Sequence, residues 1–364
     1  MKHRSRNQRG GASIEFTELE AGDYTVEAEA WDSGNDELIA SGSKDIKVEA
    51  DKTTECSLTL ILLSNTFSID EDGSIVINKT KLEKTALATV TDTATTITGS
   101  ESDGVFISGR TVTLSPYSIG KYEVTQELFE AVMGENPSKF QGETYPPADG
   151  ETQKLRPVES ISWYHAIVFC NRLSLLMGLE PCYTIIEQNG GEVPYESIAL
   201  SAINQDCSYW QTVSCDLSKN GFRLPTAAEW EFAARGGDQS ASTDWNYTYA
   251  GASNLSALSD VAWYVDNSND ITHEVGKLKP NGLELYDMSG NCWEFCSDRS
   301  DSISQGTVTD PIAENSSGNC IIRSGSFNSN STLAHVYSSY TNSVTDTFPN
   351  NGIRLARSGF PRAN

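Results

Sequence analysis

GFRLPTAAEWEFAARGG, residues 221–237, decides how the rest of the chain is read. Thr226 is a good N-cap residue, and Glu229 three positions on completes a capping box. Pro225 precedes that cap and Gly236 follows the last turn, so a short helix is predicted between them. Trp230 sits among apolar neighbours at helical spacing and is read as core. Arg223 lies between Phe222 and Leu224. A guanidinium in apolar company needs a carboxylate or carbonyls, so a structural ion pair is expected there, not catalysis.

Two more helices follow from the same signals. Thr125 caps TQELFEAVM, which stops at Gly134, and Ser162 caps SWYHAIVFCNRLSLLM, which stops at Gly178. Trp163 and Trp293 are read as core, like Trp230. The remainder is short strands, turns and long Gly/Ser/Asn loops, which points to an α+β fold. Long irregular connections in a compact domain signal function or unusual architecture.

The chain has 364 residues, which suggests two or three domains. A net charge of −24 repels phosphate backbones and anionic lipid, so no nucleic-acid partner is expected. Hydrophobic residues make up 38% and there are seven Trp, enough for a real core. No apolar run reaches the length of a transmembrane helix. The eight cysteines include no CxxC pair, so zinc-ribbon and thioredoxin readings fail. Cys292 and Cys296 are four apart, but no neighbouring His or second pair completes a metal set, so buried thiols or a few disulfides are expected over a metal site.

Residues 1–12 are basic and polar and read as a flexible leader. Residues 13–64 alternate apolar and polar, with Tyr24, Val26, Ala28 and Ala30 on one face. Turn clusters AGD, DSGND and SGSKD break these runs at the rhythm of a small immunoglobulin-like β-sandwich. It could be a spacer or a second binding module. Residues 65–364 form the main domain, of which 65–103 are linking strands and loops.

Six blocks recur in order along that domain: YSIGKYEVTQELFEAVMG at 117–134, RPVESISWYHAIVFCNRLS at 156–174, GFRLPTAAEWEFAARGG at 221–237, NGLELYDMSGNCWEFCSD at 281–298, RSGSF at 323–327 and NNGIRLAR at 350–357. Together they resemble the formylglycine-generating enzyme (sulfatase-modifying factor) family. That resemblance implies a variant C-type lectin fold over about residues 105–357.

Oxidases of that family bind copper through two cysteines, five residues apart, shortly after the turn that matches RSGSF. The corresponding positions are Ser329 and Ala334, and no cysteine follows Cys320, so no alignment restores the thiols. Copper is therefore not expected. Iron-dependent relatives use clustered histidines, whereas His3, His165, His273 and His335 are scattered. GxSxG, P-loop and HExxH motifs are absent. The chain is read as a non-enzyme, the alternative being a sulfatase-modifying-factor-like metal-dependent oxidase or accessory enzyme with another metal centre.

Where the catalytic loop would be, residues 328–351 read NSNSTLAHVYSSYTNSVTDTFPNN, and 14 of these 24 residues are Ser, Thr or Asn. Asp346 is the one charged side chain among them. Tyr interleaved with small polar residues is the chemistry of a paratope. An ordinary polar loop is the other reading. The chain further resembles variable proteins of diversity-generating retroelements, whose adenine-directed mutagenesis turns Asn codons into Ser, Tyr, His, Asp and Thr. That resemblance implies a ligand-binding protein at the cell surface or outer membrane, held by a lipid anchor on a segment not present here. Its partner would be an unknown protein or other macromolecule. Ligand contacts are expected at Arg299, Asn328, Ser329, Asn330, Ser331, His335, Tyr337, Ser338, Ser339, Tyr340 and Asn342. Leu333, Val336 and Val344 read as loop anchors, with Phe327 packed beneath.

Family members also bind calcium through a stretch matching DMSGNCWE. The implied ligands are the Asp287 carboxylate, the Gly290 and Cys292 carbonyls and the Glu294 carboxylate, in a structural role. Alternatively, Asp287 and Glu294 merely bond backbone amides.

Overall fold

The computed structural model describes residues 22–31, 38–48, 61–62, 67–187, 190–193, 195–196, 198–206, 210–238, 240, 242–299, 305–313 and 319–359. The chain divides into two compact units, Met1–Asn65 and Thr66–Asn364. In the first, Gly22–Trp31, Leu38–Val48 and Ile61–Leu62 form one three-stranded antiparallel sheet. The leader and the rest of the predicted β-sandwich lie outside the described residues.

The second unit has four short α-helices among the described residues. α1 (Gln126–Met133) starts where Thr125 accepts from the Leu128 N–H and ends at Gly134, whose φ of 86° is left-handed. α2 (Trp163–Leu176) stops one residue short of expectation, with Met177 as its cap. α3 (Leu200–Asp206) has no counterpart in the sequence reading. α4 (Ala227–Ala234) carries the expected Thr226–Glu229 capping box, and all eight of its residues are buried. Four alanines let neighbouring chain approach this helix on every side.

Small sheets surround these helices. Phe222–Arg223, Ala356–Ser358, Tyr117–Gly120 and Leu87–Thr91 lie side by side in that order. A second sheet carries the site, and its strands are here β1 (Trp293–Phe295), β2 (Asn319–Arg323), β3 (Tyr340–Ser343) and β4 (Asn351–Gly352). Their order is β3-β2-β1-β4, so β3 is an edge. β2 runs antiparallel to both its neighbours, while β1 and β4 are parallel, with Trp293 opposite Asn351.

Trp163 and Trp230 are fully buried and Trp293 nearly so. Arg223 makes the expected pair: two nitrogens donate to the Glu229 carboxylate at 2.6 and 2.7 Å. One glutamate thus caps α4 and neutralises a buried arginine. Few helices, small sheets and much irregular chain make the α+β fold that the sequence implied.

Candidate functional site

The segment after RSGSF leaves the core and returns to it. Phe327 is buried, edge-on to Phe140 at 5.1 Å between ring centres. A turn then leads into a 3-10 helix, Ser331–Ala334, capped by the Asn330 side chain. Ala334 and Val336 are buried, and the Val336 N–H donates to Thr248 O at 3.0 Å. The chain then enters β3, where Ile322 of β2 stands opposite Tyr340. Val344 is buried, and Asn351 brings the chain back beside Trp293. Val336 and Val344 thus tether the segment, while half-buried Leu333 packs against the core.

Between the tethers, side chains face outward. Asn328, Asn330, Ser339 and Tyr340 are exposed, and Ser331, His335, Tyr337, Ser338 and Asn342 are half-buried. His335 lies between two tyrosines, 5.2 Å from Tyr249 and 5.0 Å from Tyr337 by ring centres. Its burial lowers the imidazole pKa, so the ring is neutral at physiological pH. Tyr340 lies tilted at 49° against Trp293, 5.6 Å between ring centres, and remains 55% exposed. Arg299 is half-buried, its guanidinium 5.3 Å from the Trp163 ring.

Ser329 departs from the expected face. It is buried, and its hydroxyl accepts from the Ser326 N–H at 3.0 Å. It holds the turn closed. Three further side chains belong to the surroundings and were not anticipated. Phe348 is 49% exposed within the segment. Val265 is 51% exposed, and its N–H donates to Ser329 O. Leu255 is 57% exposed on a 3-10 helix whose Leu258 shares a buried cluster with Ala334. Among the described residues the only other large apolar side chain so exposed is Leu175. Exposed apolar surface therefore concentrates on and beside this segment.

The expected calcium ligands are arranged differently. Arg354 donates to both Glu294 oxygens, at 2.6 to 3.1 Å, and the Trp230 indole adds a bond at 2.6 Å. A carboxylate so occupied by a guanidinium does not fit a cation. Gly290 O already accepts from the Ser324 hydroxyl at 3.1 Å. Asp287 accepts from the Gly276 N–H at 2.7 Å with one oxygen, while its other oxygen is buried without a hydrogen-bond partner. Burial pushes its carboxyl up to about 6. With Glu294 held by Arg354, Asp287 is the one carboxylate of the expected set that keeps an unbonded oxygen. Among the described residues no cluster of three or more His, Cys, Asp or Glu could hold a metal.

Thiol chemistry is equally remote. Cys170, Cys182, Cys292, Cys296 and Cys320 are free thiols and all five are buried, whereas Cys215 is half-buried. Burial pushes the Cys292 and Cys296 thiols well above their usual value, which makes them poor nucleophiles. Cys56 and Cys207 lie outside the described residues. No helix among the described residues is long and apolar enough to cross a membrane.

A tethered, outward-facing polar and aromatic segment on a small α+β frame defines a scaffold-and-loop protein. This chain belongs to the family of the sulfatase-modifying factor enzyme 1-like domain, which matches residues 73–359. Among solved structures it is similar to Treponema denticola variable protein 1, with 37% identity and a TM-score of 0.68, over 76% of this chain and 95% of that one. CarF shares the fold at 22% identity and a TM-score of 0.55, over 76% of this chain and 99% of that one. A protein named chaperone protein LppX from Paenibacillus barcinonensis is 39% identical over 206 residues, 52% of this chain and 64% of its own length. The formylglycine-generating enzyme of Streptomyces coelicolor is 30% identical over 125 residues, 32% of this chain and 40% of the enzyme. The chain thus spans less than two thirds of these curated relatives.

Proposed function

We propose that this chain is a non-catalytic ligand-binding protein that displays variable side chains from residues 328–350 on an oxidase-type scaffold, as the product of a diversity-generating retroelement. The observation that carries this reading is the concentration of exposed Tyr340, Phe348, Val265 and Leu255 on and beside a segment whose flanks are core. Large apolar side chains exposed around one segment are a feature of interaction surfaces. The likeness to a Treponema variable protein supports the same reading, and so does a relative named a chaperone, whose name speaks of binding, not of chemistry. With no cysteine after Cys320, the copper chemistry of the family's oxidases has no ligands here. A partly polar surface with tyrosines suits a protein or other macromolecule better than a small molecule. Such a receptor would work at the cell surface or outer membrane, held there by a lipid anchor.

Two experiments test this. The surrounding DNA should hold a reverse transcriptase gene and a near-identical repeat of codons 299–351 that differs mainly at adenines; without them the retroelement origin fails. A protein ligand selected on the wild-type chain should lose about thirty-fold or more in affinity on Tyr337→Ala with Tyr340→Ala. Unchanged affinity would remove the display surface.

A further inference from the structure

A groove of about 830 Å³ has Ser339, Tyr340 and Thr341 among its lining residues, and Arg110 lines it too. Arg110 opens the strand Arg110–Leu114, in which Arg110, Val112 and Leu114 are buried and the residues between them half-buried. The alternation therefore sets an arginine on the inward face of a strand, 5% exposed. Its Nη1 donates to Val105 O at 3.0 Å, and its Nε has no hydrogen-bond partner. Arg223, Arg235, Arg323 and Arg354 are buried as well and each pairs with a glutamate, whereas buried Arg156 bonds Thr272, Tyr145 O and Gln153 instead. Among the described residues Arg110 pairs with no carboxylate.

The carboxylates around the groove are committed elsewhere. Asp298 accepts from the Ala227 and Ala313 N–H groups at 2.7 and 3.0 Å. Asp310 accepts from the Ser115 N–H and hydroxyl at 2.7 and 2.6 Å. Glu231 takes the Val105 N–H, Arg235 and Arg323. Asp298 and Glu231 act on Arg110 only through space, and a buried guanidinium with no carboxylate bonded to it is an unfavourable arrangement that an incoming anion relieves. We propose that the groove receives a carboxylate from an acidic side chain of the bound macromolecule, which docks on Arg110 as a fixed anchor beside the variable face. This rests on the display reading, because β3 supplies both the variable face and one wall of the groove. The chain's charge of −24 repels an acidic surface at a distance, so the groove selects one carboxylate, not a highly acidic partner.

The probes are N-acetylglutamate amide, its glutamine counterpart and inorganic phosphate, titrated into the full chain labelled with ¹⁵N-arginine. The Arg110 Nε–H signal, assigned by its loss in Arg110→Lys, should shift saturably with the glutamate probe. The glutamine probe should bind about ten-fold more weakly, and phosphate no more tightly than glutamate. Arg110→Lys keeps the charge, and it should weaken the glutamate probe about five-fold in competition. No saturable shift, equal response to glutamate and glutamine, tighter phosphate binding, or an unchanged affinity in Arg110→Lys would each overturn the assignment. Tyr337→Ala alone, a display residue outside the groove lining, should weaken the macromolecular ligand yet still bind the probe, so loss of the macromolecular ligand and failure of the groove are read separately.

Discussion

His165 sits at the third residue of α2, where a capping box usually has Glu or Gln. Its Nδ1 accepts from the Ser162 N–H at 3.2 Å and pairs with the Ser162 hydroxyl at 2.7 Å, while Nε2 bonds Leu200 O at 3.1 Å. Both ring contacts are satisfied by the neutral tautomer with its proton on Nε2. Burial accordingly lowers the folded pKa to about 4 from an ordinary 6.5. Between those values the unfolded chain binds more protons, so stability falls as pH drops from about 6.5 to about 4. This residue's share of the loss is about 3 kcal/mol at the acid end. His165→Gln keeps an acceptor for the cap without titrating, so its melting temperature should fall less over that range. An equal fall in both proteins would disprove this. A second residue-scale test concerns Glu294 and Arg354, both fully buried. Arg354→Met strands the carboxylate and should cost about 3–5 kcal/mol in denaturant unfolding, part of which Glu294→Gln added to it should restore. Because Arg354 holds the carboxylate that calcium would need, millimolar calcium should leave the wild-type melting temperature unchanged. A clear rise would reinstate the metal.

At the scale of elements, the segment from Phe327 to Gly352 separates anchor from display. Phe327→Ala should lower stability by about 3–5 kcal/mol, because it empties a packed site against Phe140. Tyr340→Ala removes a side chain that is 55% exposed, so unfolding should change by under about 1 kcal/mol. If the two changes destabilised alike, the segment would be core throughout. The contrast also marks what the sequence reveals. The ends of α1 and α4 were legible because caps and stop residues lie within a few positions of each other. α3 was not, since LSAINQD carries no comparable start or stop signal. The loop's composition marked it as a candidate surface, yet a buried serine and an exposed one look alike in sequence. Ser329 could therefore not be told from Ser339. Val265 and Leu255 lie far from the loop in sequence and meet it through backbone pairing and cluster packing that no local pattern encodes. The same holds for Glu294, whose partner Arg354 is 60 residues away.

At the scale of the molecule, the family match at 73–359 falls wholly inside the unit Thr66–Asn364. That unit closes on itself. Tyr117–Gly120, near its start, pairs with Ala356–Ser358, near its end, and Phe222–Arg223 joins the same sheet from the middle. Its buried arginines find their glutamates across long stretches of chain, as Arg323 does with Glu231. Contacts of high sequence separation make a domain melt as one cooperative block. Residues 66–364 alone should therefore give the same principal calorimetric transition as the full chain. They should also bind the selected protein ligand with unchanged affinity, because every residue assigned to the display face and to the Arg110 groove lies within them. A fragment that melts broadly, without a cooperative transition, would mean that the first unit completes the fold. A fragment that melts normally but has lost the ligand would mean that residues 1–65 contribute to binding, and the display face would then be only part of the receptor surface.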